Sequence, residues 1–288
     1  MYQASVEKLT LNFKRAAGTS RGVLKSKDSW IISIWDSKNP KVIGKGEASI
    51  IVNLSPEWYE HYENFLNDVI ENINHHFSNK LESLKNFPSI RFAVESALLN
   101  LKQQKVDLYF PSKFTQGLEG IKINGLIWMG DKDYMLSQIK DKLNQGFNCV
   151  KLKIGAIDFE AELALLKFIR SQFTEHEVEL RVDANGAFSV ESALEKLNLL
   201  SKFKLHSIEQ PIKAGQIDAM HRLCQQTPLP IALDEELIGI SCKADKTKLI
   251  SDIRPQYIIL KPSLVGGFQA SNEWIAAAEK HYFQWCII

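Results

Sequence analysis

Six charged residues close short apolar runs in the second half of the chain: Lys151 and Lys153 in CVKLKIG, Asp183 in ELRVDANG, Glu209 in SIEQP, Asp234 in PIALDEE and Lys261 in QYIILKPS. From Asp183 onward they are 26, 25 and 27 residues apart. Three carboxylates gathered in one place repel one another strongly unless a cation stands among them. Oxygen donors with no His or Cys beside them select a hard ion, Mg²⁺ before Mn²⁺ or Ca²⁺. Lys151 and Lys153 are two positions apart, so on a strand both point to one face. Paired ammonium groups, and a nearby divalent cation, disfavour each other's charge; a lysine neutralised in this way is a general base near pH 7. Lys261 approaches the same space from another strand. A base, an opposed lysine and a metal describe removal of a proton next to a carboxylate, with the metal holding the enediolate that forms. One carboxylate at a strand end reads as a solvated charge, but three at one interval beside lysines read as a site.

The interval itself names the elements that must position these groups. It is the length of one strand, one helix and two short loops, the repeating unit of a (β/α) barrel. Helical periodicity fills the gaps, with Phe159, Leu163, Leu166 and Phe173 in one and Ala193, Leu197, Leu200 and Lys204 in the next. Each charge then sits at the C-terminal end of a successive parallel strand, on the rim where barrels keep their chemistry. Residues 124–130 form the first strand and 131–143 the first helix, stopped at Gly146. Trp128, near the end of that strand, either lines the cavity or fills the core. Arg181 and Asn185 flank Asp183 two positions away and share its face if the strand persists. Arg181 is a candidate donor to a ligand carboxylate, whereas Asn185-Gly186 is equally a turn signal. Gly266-Gly267 precedes a helical stretch, either as an anion cradle or as an ordinary loop.

The first half reads differently. Alternation of Leu9, Leu11 and Phe13, then Trp30, Ile32 and Ile34, then Ala48, Ile50 and Val52 predicts a three-stranded antiparallel meander. Residues 15–28 between its first two strands are polar and read as a mobile surface loop. Ser55 and Pro56 are expected to start a helix as N-cap and first helical residue, followed by the stripe Trp58, Tyr62, Phe65, Val69 and Ile73. His75 and His76 end that helix and are read as structural. Ala93, Ala97 and Leu101 mark a second helix that packs closely.

Composition excludes several partners. With 35 Lys and Arg against 34 Asp and Glu, the net charge of +1 points to no polyanion, so no nucleic acid is expected. Cys149, Cys224, Cys242 and Cys286 have no metal or redox spacing and read as reduced thiols of a cytoplasmic protein. No run approaches the ~20 apolar residues of a membrane span.

The KLK, VDAN, EQP, LDEE and LKPS segments resemble the muconate-lactonising-enzyme subgroup of the enolase superfamily. Together with GTSRGVL near the start and NGLIWMG on the first barrel strand, they most resemble the o-succinylbenzoate synthases, dehydratases of menaquinone biosynthesis. The resemblance implies an α/β fold: an N-terminal α+β capping domain over residues 1–120 and a (β/α) barrel, a modified TIM barrel, over 121–288. It implies Mg²⁺ held by Asp183, Glu209 and Asp234, Lys153 as acid/base, Lys261 as opposing cation and a small-molecule carboxylate as substrate. It also implies that residues 15–28 close over the barrel mouth with Arg21 on a substrate carboxylate, although Arg21 reads equally as a surface arginine. An N-acylamino acid racemase or dipeptide epimerase is the alternative activity, and an impaired barrel serving in binding or structure is the alternative class. Residues 123–288 hold a first strand, five ending in the charged groups, and a seventh from Phe283. A closed barrel takes ~250 residues, so the expectation is a C-terminally incomplete barrel, truncated or naturally shortened, poorly active and prone to pair at its open edge.

Overall fold

The computed structural model describes residues 1–19, 22–57, 60–103 and 108–287. Three strands, β1 (Tyr2–Thr19), β2 (Gly22–Asp36) and β3 (Asn39–Ser49), pair antiparallel in that order. Trp30, Ile32 and Ile34 of β2 and Ala48 of β3 are buried. Against them pack Tyr62, Leu66 and Val69 of α1 (Tyr62–Glu71), Ile73 of α2 (Ile73–Ser78), and Ile90, Ala93, Val94 and Ala97 of α3 (Pro88–Gln103). Small residues bring α3 down onto β3, as expected from its alanines. A Cβ on Gly46 would lie 1.9 Å from the Ala93 carbonyl oxygen, and one on Gly44 2.0 Å from that of Ala97. The expected single helix is broken at Asn72 into α1 and α2; His75 and His76 lie in the last turn of α2, and the Nδ1 of buried His76 lies 2.7 Å from Ser83 Oγ.

Two local expectations fail, and pairing with β2 settles a point that the alternation in β1 left open. The alternation in β1 has the expected period, and register with β2 sets its phase. Ala4 pairs with Ile34, Val6 with Ile32 and Lys8 with Trp30, and side chains of directly opposed residues share a face. The even-numbered residues therefore face the core, and Leu9 and Leu11 stand exposed. Lys8 lays its ammonium 5.2 Å from the Trp30 ring centre and 2.7 Å from Glu63. Residues 15–19 and 22–28 are strand rather than loop: they continue β1 and β2, pairing Ala17 with Leu24 and Thr19 with Gly22. Arg21 and Trp58 lie outside the described residues. Ser55 caps no helix; its hydroxyl accepts the Ile51 N–H at 2.9 Å, and α1 starts at Tyr62.

From residue 125 strands and helices alternate: β4 (Gly125–Ile127), α4 (Lys132–Asn144), β5 (Cys149–Lys153), α5 (Phe159–Arg170), β6 (Glu179–Asp183), α6 (Val190–Ser201), β7 (Ser207–Glu209), α7 (Ile217–Gln226), β8 (Ile231–Leu233), α8 (Lys243–Ile253), β9 (Tyr257–Leu260), α9 (Pro262–Val265), α10 (Gly267–Lys280) and β10 (Gln284–Ile287). Among the described residues seven strands hydrogen-bond in sequence order and curl into a parallel half-barrel. Asp131, Asp158 and Ser189 cap α4, α5 and α6 by accepting the N–H three residues on, which satisfies an otherwise orphaned donor in each first turn. Leu152, Leu180, Val182, Ile208 and Leu260 point outward into a core with Leu166, Leu197, Met220 and Trp274. Each such apolar side chain contributes about 1.5–3 kcal/mol. Because strand side chains alternate, sending these outward leaves Lys151, Lys153, Asp183 and Glu209 on the inner face. Among the described residues no helix is long and apolar enough to cross a membrane.

Candidate active site

Strand register builds the site. Lys153 of β5 pairs with Asp183 of β6, which pairs with Glu209 of β7; Asp234 and Lys261 directly follow β8 and β9. The six side chains form one line of alternating charge. Lys153 Nζ lies 2.9 Å from Asp183 Oδ2. Lys151 Nζ lies 3.6 Å from the same oxygen and donates to Glu209 Oε2. Lys261 Nζ lies 3.7 Å from Glu209 Oε1 and donates to Asp234 Oδ2. Lys151 and the three acids are buried, whereas Lys153 and Lys261 remain partly exposed.

Burial is the largest influence on each of these acids, and it disfavours charge. At Asp183 the attraction of Lys153 and Lys151 overcomes it and holds the carboxyl below the usual range. At Glu209 burial, reinforced by the charge of Asp183, prevails over Lys151 and raises the group to about 7. Burial also prevails at Asp234, against the pull of Lys261, and that carboxyl is raised. Burial opposes charge on Lys261, but Asp234 and Glu209 outweigh it and hold the ammonium well above the ordinary lysine value.

The acids suit a hard cation as a donor set. All three offer oxygen, Asp183 and Glu209 are register partners, and Glu209 Oε1 is buried without a hydrogen bond. Among the described residues no three Asp, Glu, His or Cys groups are already drawn around one point; each of these carboxylates faces a lysine instead.

β6 ends at Asp183, so Asn185 stands in the turn that follows it rather than on the strand face. It turns the chain at φ 44°, its Oδ1 accepts from Lys153 at 2.8 Å, and its Nδ2 donates to Glu235 at 3.0 Å. Arg181 is not brought to the cluster. It sits two residues nearer the start of β6, and its Nε donates to Glu179 at 2.6 Å. Trp128 is 39% exposed, with its backbone clamped by the Gln138 amide at 3.0 and 3.1 Å.

Sequence reasoning passed over Gln210, Glu236 and Glu162. Gln210 is buried at φ 38°. Its Nε2 donates to Glu236 at 3.0 Å, and its Oε1 accepts the backbone N–H of Asp234 at 3.2 Å. It thereby ties the end of β7 to the end of β8 and sets Glu209 beside Asp234. Glu162 accepts the Gly155 N–H at 2.6 Å and pins the turn that follows Lys153. For Gln210 the available signal was its place immediately after the strand-end acid in EQP; Glu236, second after Asp234 in LDEE, and Glu162, inside α5, carried none of that kind.

Residues 134–288 match the family described as enolase C-terminal domain-like. The chain is 42% identical over 312 residues to the o-succinylbenzoate synthase of Desulfotalea psychrophila (strain LSv54 / DSM 12343), covering 96% of this chain and 83% of that one. It is 25% identical over 301 residues to the o-succinylbenzoate synthase of Bacillus subtilis (strain 168), covering 98% and 77%. The crystal structure of MenC from Desulfotalea psychrophila LSv54 matches with a TM-score of 0.84 at 37% identity, over 99% of this chain and 85% of that one. Half-barrel, strand-end charges and these matches agree: the chain belongs to the enolase C-terminal domain-like family, in the muconate-lactonising-enzyme subgroup of the enolase superfamily.

Proposed function

We propose that the protein is a dehydratase of the o-succinylbenzoate synthase type, converting a hydroxylated, succinylated cyclohexadiene carboxylate into the aromatic succinylbenzoate. The observation that carries this reading is the line Lys153–Asp183–Lys151–Glu209–Lys261–Asp234 on one rim, in a chain 42% identical to an enzyme of that name. Lys153, as the free amine, takes the proton from the ring carbon that bears the carboxylate. The released electron pair moves into that carboxylate, whose growing negative charge faces the Lys261 ammonium. The pair then returns to form the ring double bond as the bond from the neighbouring carbon to its hydroxyl breaks. Lys153 gives its proton to the departing oxygen on the same face, and water leaves. Lys151 holds Glu209 and Asp183 in place, and Asn185 aims Lys153 from the side. Mg²⁺, or Mn²⁺ as second choice, held by Asp183, Glu209 and Asp234, would supply Lewis-acid stabilisation of the carboxylate charge. In the same reading residues 1–120 cap a barrel unit of residues 121–288, and the enzyme works on a small molecule in the cytoplasm.

The test is turnover by the purified chain with Mg²⁺, on the cyclohexadiene carboxylate and, in parallel, on N-succinyl amino acids and dipeptides. Formation of the aromatic product, with slow or no exchange of the amino-acid α-proton, is expected. Fast α-proton exchange without aromatic product would transfer the assignment to the epimerases. Failure on all substrates by a folded protein that binds Mg²⁺ would reject the dehydratase reading.

A further inference from the structure

The strap that carries Lys261 is gripped from outside the barrel. Leu264 and Val265 donate their N–H groups to the Lys261 carbonyl at 2.8 and 3.1 Å, and Gly266 donates to Pro262 at 3.1 Å. Lys261 is therefore wound directly into α9. Gly266 and Gly267 follow at φ 104° and 88°, a backbone that side chains rarely tolerate, and they turn the chain into α10. The first N–H groups of a helix have no partner within it and attract negative charge. Here the negative charge comes from α3: Glu95 Oε2 accepts from Phe268 N–H at 2.5 Å and from Gln269 N–H at 3.4 Å. The fit is close, since a Cβ on Gly267 would lie 2.2 Å from that oxygen.

Other contacts hold Glu95 in this place. Arg91, one turn earlier on α3 and itself buried, reaches Glu95 Oε1 at 3.6 Å. The Phe268 ring meets Phe92 of α3 at 5.2 Å between ring centres and Phe110 at 5.0 Å. Lys246 of α8 is fully buried and pairs with Glu273 of α10 at 2.7 Å, bracing α10 from its other side. The anion cradle legible in Gly266-Gly267 is real, and its occupant is a side chain of this same protein.

We propose that Glu95 is a positioning residue: by lodging its carboxylate at the start of α10, it fixes the Lys261 strap from the N-terminal unit and so sets where the opposing ammonium stands. The inference rests on the reading that Lys261 faces the developing carboxylate charge. A displacement of about an ångström in such a group lowers turnover by up to ~100-fold, and a carboxylate one methylene shorter cannot span the same gap.

Three variants of the full chain test this: Glu95→Asp, Glu95→Ala and Glu95→Gln, with Lys261→Met as control. For Glu95→Asp and Glu95→Ala the expected result is kcat lower by about 10- to 100-fold with KM changed by less than about 3-fold. Amide exchange at Phe268 and Gln269 should rise in both. Glu95→Gln, whose amide oxygen still accepts the Phe268 N–H, should recover most of kcat. If Glu95→Ala fails to fold, Glu95→Asp against Glu95→Gln still decides the matter. The inference is overturned if Glu95→Asp keeps wild-type kcat, or if Glu95→Gln loses as much as Glu95→Asp at equal stability. Retained turnover in Lys261→Met would instead remove the role given to Lys261, whatever the Glu95 variants do.

Discussion

Replacing Lys151 by Met removes the cation that stands between two buried acids and leaves a side chain of similar bulk. Lys151 Nζ is 3.6 Å from Asp183 and donates to Glu209; the next cation along from Glu209 is Lys261, at 3.7 Å. At an effective dielectric of ~20 a 3.6 Å contact corresponds to about 4–5 kcal/mol, against which stands the desolvation relieved when the ammonium is removed. Breaking a buried pair on one side costs about 3–5 kcal/mol, and we expect a loss in that range for the metal-free protein. The loss should depend on pH. Glu209 is raised to about 7, so the folded state binds its proton more tightly than the unfolded chain does. Such a group loses stability as pH rises from its unfolded value, about 4.3, through its folded value. Taking Lys151 away carries that window above 7, so the deficit at pH 8 should exceed the deficit at pH 6. If the acids also hold Mg²⁺, the ion replaces the missing charge and should stabilise Lys151→Met more than wild type. Urea unfolding at both pH values, with and without Mg²⁺, reads all three quantities. Equal stability of variant and wild type at pH 8 would refute the electrostatic argument, and a smaller Mg²⁺ effect in the variant would refute the shared site.

Lys153→Ala should abolish dehydration while far-ultraviolet circular dichroism stays unchanged; substantial turnover in the variant would remove the base assignment. Gly46→Ala should destabilise by about 1–3 kcal/mol, because its Cβ would meet the Ala93 carbonyl at 1.9 Å and push α3 off the sheet; an unchanged urea midpoint would mean that the helix retreats freely. Glu57 is raised chiefly by burial, offset in part by the Ser89 N–H at 2.6 Å, so the wild type gives up stability as pH climbs above about 4.3. Glu57→Gln removes that slope, and its stability relative to wild type should improve from pH 4 to 7; parallel curves would show that Glu57 does not contribute.

The rim chemistry was legible because two local periods carry it. A strand ends, a charge follows, and the next strand comes after a helix of ordinary length; Asp183, Glu209, Asp234 and Lys261 could be placed on successive strands from spacing alone, and the half-barrel sets them there. The caps of α4, α5 and α6 were equally local, each an Asp or Ser reaching three residues forward. Ser55 carries the same chemistry and caps nothing, because Ile51 claimed its hydroxyl first. Local propensity states what a side chain can accept, and the surrounding backbone decides which donor arrives.

Phase is harder to read than period. Leu9 and Leu11 alternate with Lys8 and Thr10, and hydrophobicity alone sends the leucines inward. Register with β2 decides otherwise: Val6 must oppose Ile32, and the whole set of Leu9 and Leu11 turns to the other face. The strand tolerates this because Lys8, on the core side, covers Trp30 with its stem and keeps its charge on Glu63 and Asp28. Gln210 and Glu95 were hidden for a related reason. Each is a polar residue whose partners, Asp234 and Phe268, lie 24 and 173 positions away, and neither partner has a side chain that advertises the bond, since both contribute only a backbone N–H. A sequence displays the groups that can do chemistry on a substrate. The groups that aim them act through main-chain donors present at nearly every position, and they become visible once the fold has chosen which of those donors to leave open.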